Sequence, residues 1–499
     1  MKISKIVLEN FKAFAGLHEF DTNKPVVCLV GENNTGKTTV FKAIDFLKSG
    51  VLRDKTIDDY KNACNKDKHV AVTIEIEGNL EQSIENFSET KYLPYVVNDD
   101  GTQRITLKRT SEEYSVQQGN KSIDINVKKI TVYNNVTEQF ENPTGFDKAI
   151  NTLFEVVSIW SDMDASELTD FGSTKTLGKL LKDVCNNFES SNNWNSFLDA
   201  HNVAFTTGED SLLKQSQNLV NDIQKSLGEF YGEATVSFDF KPPEPSSFVK
   251  LGDIIVNDGI ETNISEKGSG MQRAFALAVM KVYADFLVKH PSNVELKKPL
   301  FFFIDEPEIS LHPKAQMTLI KSIITISEHQ QVFLTTHSPF LLKHFANNDI
   351  CTYMTKRNAH SVKATPIESM RTFSFSPTLA EINYFTYEIC STDFHNELYG
   401  YISAIASKYN SKDFDNWVDS EHHVSKGKSW IKDSGNGNTN QNNLTLMSYI
   451  RHSIHHPENT HNPAYTEEEI ELSTKKMVSI INTVAFQTLL NTYNSRAIV

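Results

Sequence analysis

The chain has 499 residues, with 49 basic and 63 acidic side chains and a formal net charge of −14. That length allows two or three domains, and the acidic balance argues against a surface that coats nucleic acid along its whole extent, although a local basic groove stays open. Cys28, Cys64, Cys185, Cys351 and Cys390 form no C-x-x-C pair, and neither an N-terminal apolar signal nor a long apolar span is present. This predicts a reducing cytoplasm, no structural zinc and no membrane insertion.

In chain order, Val26–Val30 is a short apolar run of the kind that forms a buried parallel strand. Gly31-Glu32-Asn33-Asn34-Thr35-Gly36-Lys37-Thr38 follows as a full match to G-x-x-x-x-G-K-[ST]. Val40, Phe41, Ile44 and Leu47 then share one face of a predicted helix. A strand, a glycine-bearing loop and a helix N-terminus in that order aim backbone N–H groups at phosphate oxygens. The residues expected to hold ATP are Gly31, Asn33, Asn34, Thr35, Gly36, Lys37, Thr38 and Thr39. Lys37 reaches the β- and γ-phosphates, and the Thr38 hydroxyl coordinates Mg²⁺. The bland alternative is a chance strand–turn–helix.

Alternation at residues 69–77, in Ile105–Lys108 and in Ile123–Val127 predicts an antiparallel sheet beside the nucleotide core. Residues 146–232 turn polar and helical without a sustained heptad, which predicts a compact insert for dimer or partner contacts. Thr235–Phe240 reads as a strand and Lys241-Pro242-Pro243-Glu244-Pro245 as a rigid linker. Next come Lys267-Gly268-Ser269-Gly270-Met271-Gln272-Arg273, the apolar run Leu300–Ile304 and Asp305-Glu306-Pro307. Asp305 at a strand end is placed to hold Mg²⁺, and Glu306 is the natural base for the attacking water. The strand Gln331–Thr336 is expected beside it and delivers His337 to sense the γ-phosphate. An acidic turn and a structural histidine are the plain alternatives, and the upstream loop weighs against both.

Together with Leu311-His312-Pro313 and Thr336-His337-Ser338-Pro339, these segments resemble the ABC-type ATPases. The closest branch contains the chromosome-maintenance proteins and the overcoming-lysogenization-defect (OLD) ATPases. The opening Ile3-Ser4-Lys5-Ile6-Val7-Leu8-Glu9-Asn10-Phe11-Lys12-Ala13-Phe14 is similar to that branch too. The resemblance spans roughly residues 1–365. It implies that Ser269 and Gly270 cap the ATP of another subunit, so that hydrolysis takes place in a head-to-head homodimer. The glutamine-loop residue has no firm place, Gln139 being a guess. No acidic Toprim pattern of the OLD enzymes follows Pro339.

Past about residue 365 helical patterns dominate, broken by the polar run Asp433–Asn443, with a boundary near Met370–Pro377. Leu446, Ile450 and Ile454 are spaced by four and should anchor one helix face, which Pro457 ends at His456. The helix carbonyl end should raise the pKa of histidines in that last turn. Arg451, His452 and His456 match the mark of the HEPN helical ribonucleases, and Tyr465–Ile470 resembles the opening of a last helix there. In that family arginine and histidine from two subunits cleave RNA without metal, through the 2′-hydroxyl. Tyr384, Asp393 and Glu397 lie on earlier helices. A metal site at His452 and His456 lacks an evident third ligand, and a degenerate docking fold is the other alternative.

The expected organisation is α/β, an ABC-type P-loop NTPase head with a mixed sheet and helical insert, then an all-α C-terminal domain. Its parts are 1–145 and 233–370 (the two halves of the head), 146–232 (the insert) and 371–499 (the HEPN-like domain). The resemblance to defence-system ATPases, Septu-type and anticodon-nuclease-type among them, implies a prokaryotic anti-phage or toxin system. RNA is the expected substrate, with tRNA a candidate target. The runner-up is a regulatory ATPase that restrains or delivers a separately encoded nuclease.

Overall fold

A computed structural model describes the chain except for residues 87–89, 100, 119–120, 161–175, 250–251, 290–298, 310, 346–349, 359–360, 368–371, 374–375, 434–438 and 498–499. Parts of the proposed boundary at Met370–Pro377 and of the polar run Asp433–Asn443 lie outside the described residues. The described chain divides into two units. One comprises Met1–Lys2, Glu77–Arg104 and Gly145–Phe333; the other comprises Ile3–Ile76, Ile105–Thr144 and Leu334–Val499.

The second unit carries the phosphate loop. Its larger sheet runs in the order Gln139–Glu141, Thr131–Asn134, Thr102–Thr110, Ala71–Glu77, Lys2–Glu9, Leu17–Asp21. Val70, Val72, Ile74 and Ile76 are all fully buried, so the alternation did mark a half-buried strand. In its second sheet Val26–Gly31 pairs parallel with Ile350–Arg357, and Val362–Pro366 pairs antiparallel with that strand. Leu334–Thr336, the end of Gln331–Thr336, lies on the other side of Val26–Gly31. Every residue of Val26–Gly31 and of Gln331–Thr336 is buried, as strands covered on both faces require.

The same unit holds the tail. Helices Leu379–Tyr387, Thr392–Ile405, Ser411–His422, Leu446–His455, Glu467–Ile481 and Val484–Ala497 enclose a core of Phe394, Leu398, Ile402, Phe414, Met447 and Met477. Thr378 and Thr466 open two of them with capping boxes to Glu381 and Glu469. The region is helical as expected, with one addition: Lys428–Asp433 and Thr439–Leu444 form an antiparallel hairpin, Trp430 facing Asn442 in register. The asparagine-rich run reads as a loop because its second strand exposes all but Leu444. Glu467–Ile481 is not the last helix, since Val484–Ala497 follows.

The first unit pairs Glu155–Ile159 parallel with the fully buried strand Leu300–Asp305. The Phe303 ring meets Phe333, at the start of Gln331–Thr336, with centroids 5.0 Å apart. Polar helices at Thr176–Glu189, Asn192–Asn202 and Gln217–Tyr231 occupy much of the expected insert. Thr235–Phe240 is not a strand: it is irregular, with exposed and half-buried residues in alternation. A six-residue alternating pattern forms a strand only where a neighbour completes its hydrogen bonds.

Candidate nucleotide site and a histidine-lined cavity

The phosphate loop is held from beneath by threonines. Thr35 is buried, its hydroxyl donating to the Glu32 carbonyl at 2.8 Å and lying 2.8 Å from the Thr355 hydroxyl on the next strand. The Thr35 side chain therefore fixes the loop from below. Gly31 packs so closely that a Cβ would sit 2.3 Å from the Thr355 carbonyl oxygen. Gly36, at φ 82°, starts the helix Lys37–Ser49 in a left-handed conformation that an L-residue adopts only with strain. Asn33 and Asn34 are exposed at the rim, and Thr38 lies half-buried on the first helical turn.

Lys37 is buried beneath this loop, its ammonium donating to the Gly31 carbonyl at 3.1 Å and the Glu32 carbonyl at 2.8 Å. The third contact is His337 Nε2 at 2.9 Å. An ammonium has only donors, so His337 accepts through Nε2 and carries its proton on Nδ1. The structure thus brings together two residues 300 positions apart. His337 is also tied to the tail, for the Tyr387 hydroxyl donates to its carbonyl at 2.8 Å.

A cavity of about 400 Å³ adjoins the loop through Asn34 and Thr39. Lys12, Lys61 and Arg357 line it as well, three cations that suit a polyphosphate or the sugar beside it. Sequence reading passed over Lys61 and Arg357, and Lys12 appeared only inside the opening motif. Burial is the main force lowering the Lys12 pKa, helped by Lys42 and Lys55. Gln139 lies exposed at the start of its strand.

In the other unit, Asp305 is buried at the end of its strand, and Glu306 follows in a left-handed conformation at φ 47°. Such a φ is unusual for a non-glycine residue and persists only where neighbours hold it. Arg273 does so: its Nη1 donates to the Glu306 carbonyl at 2.9 Å. Arg273 belongs to the segment containing Ser269 and Gly270, which begins the helix Ser269–Lys289. Gln272 secures that segment by donating to the Ser265 and Lys267 carbonyls at 2.9 and 2.8 Å. Ser269 itself is exposed.

On the tail, Arg451 and His452 lie on the helix Leu446–His455 and His456 follows at its end. Their side chains diverge. Arg451 lies over the Tyr399 ring at 4.5 Å, and the Tyr399 hydroxyl is 2.9 Å from that of Ser448. Ser448 in turn donates to the Asp415 carboxylate at 2.7 Å. His452 and His456 instead line a cavity of about 630 Å³, and Arg451 is not among its lining residues. The expected rise in histidine pKa is overturned for His452. Burial depresses it, and the neighbouring His456, Arg451, His455 and Lys432 push the same way. Desolvation outweighs the carbonyl end of a ten-residue helix. Buried positions on that helix are Met447, Ser448, Tyr449 and Ile450, so its inner face is turned slightly from the expected 446–450–454 line. Of the earlier candidates, Glu397 accepts from the Thr378 hydroxyl at 2.7 Å. No cluster of three metal-ligating side chains exists among the described residues.

His395 reports on the same core. Fully buried, it contacts the Ser473 hydroxyl at 2.9 Å, and burial with the nearby Arg451 charge pulls its pKa from 6.5 down to about 3. Unfolding restores the ordinary value, so the unfolded chain binds the extra proton between those limits. Stability is therefore full above pH 6.5 and falls as pH drops toward 3, by about 1.4 kcal/mol per pH unit for this one group. Thermal midpoints measured from neutral pH to about pH 5 should fall in the wild type and fall less in His395→Gln. Equal slopes would remove His395 as a source.

The buried strand, phosphate loop and first-turn Lys37 and Thr38 define a P-loop nucleoside triphosphatase. The chain belongs to the AAA ATPase domain family, which it matches over residues 1–342. Its relatives include the Old nuclease of Escherichia phage P2, 27% identical over 70% of this chain and 58% of the relative. Endonuclease GajA of Bacillus cereus (strain VD045) is 24% identical over 70% of this chain and 57% of its own length. A retron Vc95 probable ATPase of Vibrio cholerae is 21% identical, covering 68% of this chain and 71% of the relative. The chain thus spans less than two thirds of the length of the two named nucleases. Among solved structures, an SmcHead bound to the C-winged helix domain of ScpA aligns with TM-score 0.43 and 15% identity, over 73% of this chain and 98% of that one.

Proposed function

We propose that this protein is an Mg²⁺-dependent ATPase of a prokaryotic anti-phage or toxin system, whose ATP-driven homodimer controls RNA cleavage by its tail. The observation that carries the ATPase half is Lys37 buried under the loop and in contact with His337. ATP phosphates would take over from the loop carbonyls as partners of Lys37, with Thr38 and Asp305 holding Mg²⁺. Mg²⁺ supplies charge neutralisation on the phosphates, and Glu306 accepts the proton of the attacking water. Exposed Ser269 and half-buried Gly270 suit a cap over the ATP of a second subunit. The Tyr387 contact with the His337 backbone supports communication between nucleotide and tail.

RNA cleavage rests on Arg451 and His456 at motif spacing, with His452 beside them. Arg451 turned onto Tyr399 and away from the histidine cavity fits a reaction centre completed by the partner subunit. The same contact also favours the second reading, a regulatory ATPase that governs a separately encoded nuclease, because an arginine so engaged can be structural. The deciding experiment is purified protein incubated with RNA, with and without ATP.

The dimer makes a separate prediction. A Lys37→Ala chain and a Ser269→Arg chain should each be inactive alone, one lacking phosphate binding and the other obstructing the cap. Mixed, they should regain ATP hydrolysis through one intact site per heterodimer. Heterodimers that form and remain inactive would rule out the shared site.

A further inference from the structure

The hairpin Lys428–Asp433 and Thr439–Leu444, between Ser411–His422 and Leu446–His455, has a use that the RNA-cleaving motif does not account for. Trp430, only 5% exposed, packs edge-on against Tyr449 at 5.6 Å. His452 stacks on its indole with centroids 5.4 Å apart and planes within 27°. His456 continues the column at 6.0 Å and again 27°. The root is buried tryptophan, and the free end is His456, whose side chain is 51% exposed. Three flat rings ending in solvent offer the next position to a fourth.

The surroundings are basic. Lys412, Lys426 and Lys432 line the same cavity of about 630 Å³, as do Asn442 and Asn443. Its two carboxylates are already engaged. Asp415 is buried and accepts from the Thr445 and Ser448 hydroxyls at 2.5 and 2.7 Å, while Glu458 pairs with His456 at 3.1 Å. In a chain of net charge −14, three lysines beside an open ring column are a local exception. The volume lies in the range of ordinary ligand pockets. A depressed pKa leaves His452 neutral at physiological pH, so it stacks without repelling the lysines.

We propose that this cavity binds an unpaired stretch of single-stranded RNA. One base extends the Trp430–His452–His456 column, the lysines meet the flanking phosphates, and the two asparagine amides face base edges. The proposal rests on the RNA-cleavage reading and supplies its substrate class: an unpaired loop or end rather than a duplex, presented to His456.

The test is binding of a fluorescent 2′-O-methyl single-stranded RNA, which lacks the free 2′-hydroxyl, to full-length protein, with ATP hydrolysis as the folding control. A Lys412→Gln, Lys426→Gln, Lys432→Gln variant should bind about 10-fold or more weakly and lose about two units of salt slope, at about 0.7 per phosphate contact. His456→Ala should lose about 5- to 100-fold, as loss of a base stack does, whereas Trp430→Phe should keep most of the affinity and Trp430→Leu should weaken it by unseating the two histidine rings. Wild-type affinity in the triple lysine variant, or no RNA binding by the wild type, would overturn the assignment. Tighter binding of duplex, or equal binding of DNA of the same sequence, would overturn single-stranded RNA as the ligand. Binding that follows the lysines while unmodified RNA is never cut would sink the cleavage reading and leave the cavity standing. RNA cutting that persists unchanged in the triple variant, with unchanged affinity, would do the reverse.

Discussion

Glu306→Gln is expected to bind ATP, to associate stably in its presence and to hydrolyse it about 10²–10⁴-fold more slowly than wild type. The amide preserves the side chain's volume and the Arg273 contact, because that contact is to the Glu306 backbone carbonyl. What it removes is the group that takes a proton from water. Lys37→Ala should fail earlier, at binding, since it deletes the ammonium now shared among two loop carbonyls and His337. The two variants therefore separate by nucleotide affinity: normal in the first and weak in the second. Wild-type turnover in Glu306→Gln would strip it of the base role.

Arg451→Ala and His456→Ala should each reduce RNA cleavage by about 10²–10⁴-fold while ATP hydrolysis stays near normal. The reaction uses the 2′-hydroxyl as nucleophile, a histidine to move protons and a guanidinium to neutralise the phosphate in flight. Products should therefore end in a 2′,3′-cyclic phosphate, DNA should be untouched, and EDTA should not stop the reaction once the ATP state is set. Toxicity in cells should vanish with either substitution. Arg451→Ala also removes the cation over Tyr399, so its melting behaviour must be compared with that of Arg451→Lys. Lysine keeps a charge there but not the planar fork, and should restore stability without restoring cleavage. If purified protein never cuts RNA and both variants act in cells like wild type, the tail is a docking module and the regulatory reading takes its place.

Much of the candidate nucleotide site is legible in sequence because its chemistry is written in contiguous residues. A loop that wraps phosphate needs glycines at Gly31 and Gly36 and a lysine and hydroxyl at the next helix start, all within eight positions of one another. Strand alternation at Val70–Ile76 and the apolar runs at Val26–Val30 and Leu300–Ile304 are local as well, so each announced its own burial. The Arg451–His456 spacing is equally local and can be read from the sequence, while the direction of those side chains cannot.

What tertiary structure decided is what depends on residues far apart in the chain. The contact of Lys37 with His337, the Thr35 hydroxyl against Thr355 and the Arg273 clasp on Glu306 join segments separated by tens to hundreds of positions. No periodicity within either segment encodes such a partner. The hairpin around Trp430 was hidden by its asparagine-rich second strand, since pairing with a neighbour rather than intrinsic preference makes it a strand. The His452 pKa went the opposite way from the helix-end expectation for the same reason. Sequence places the ring near helix carbonyls that favour its charge, but only the packed tail, with Trp430 on its face, removes the water that charge needs, and Arg451 and Lys432 nearby oppose it further.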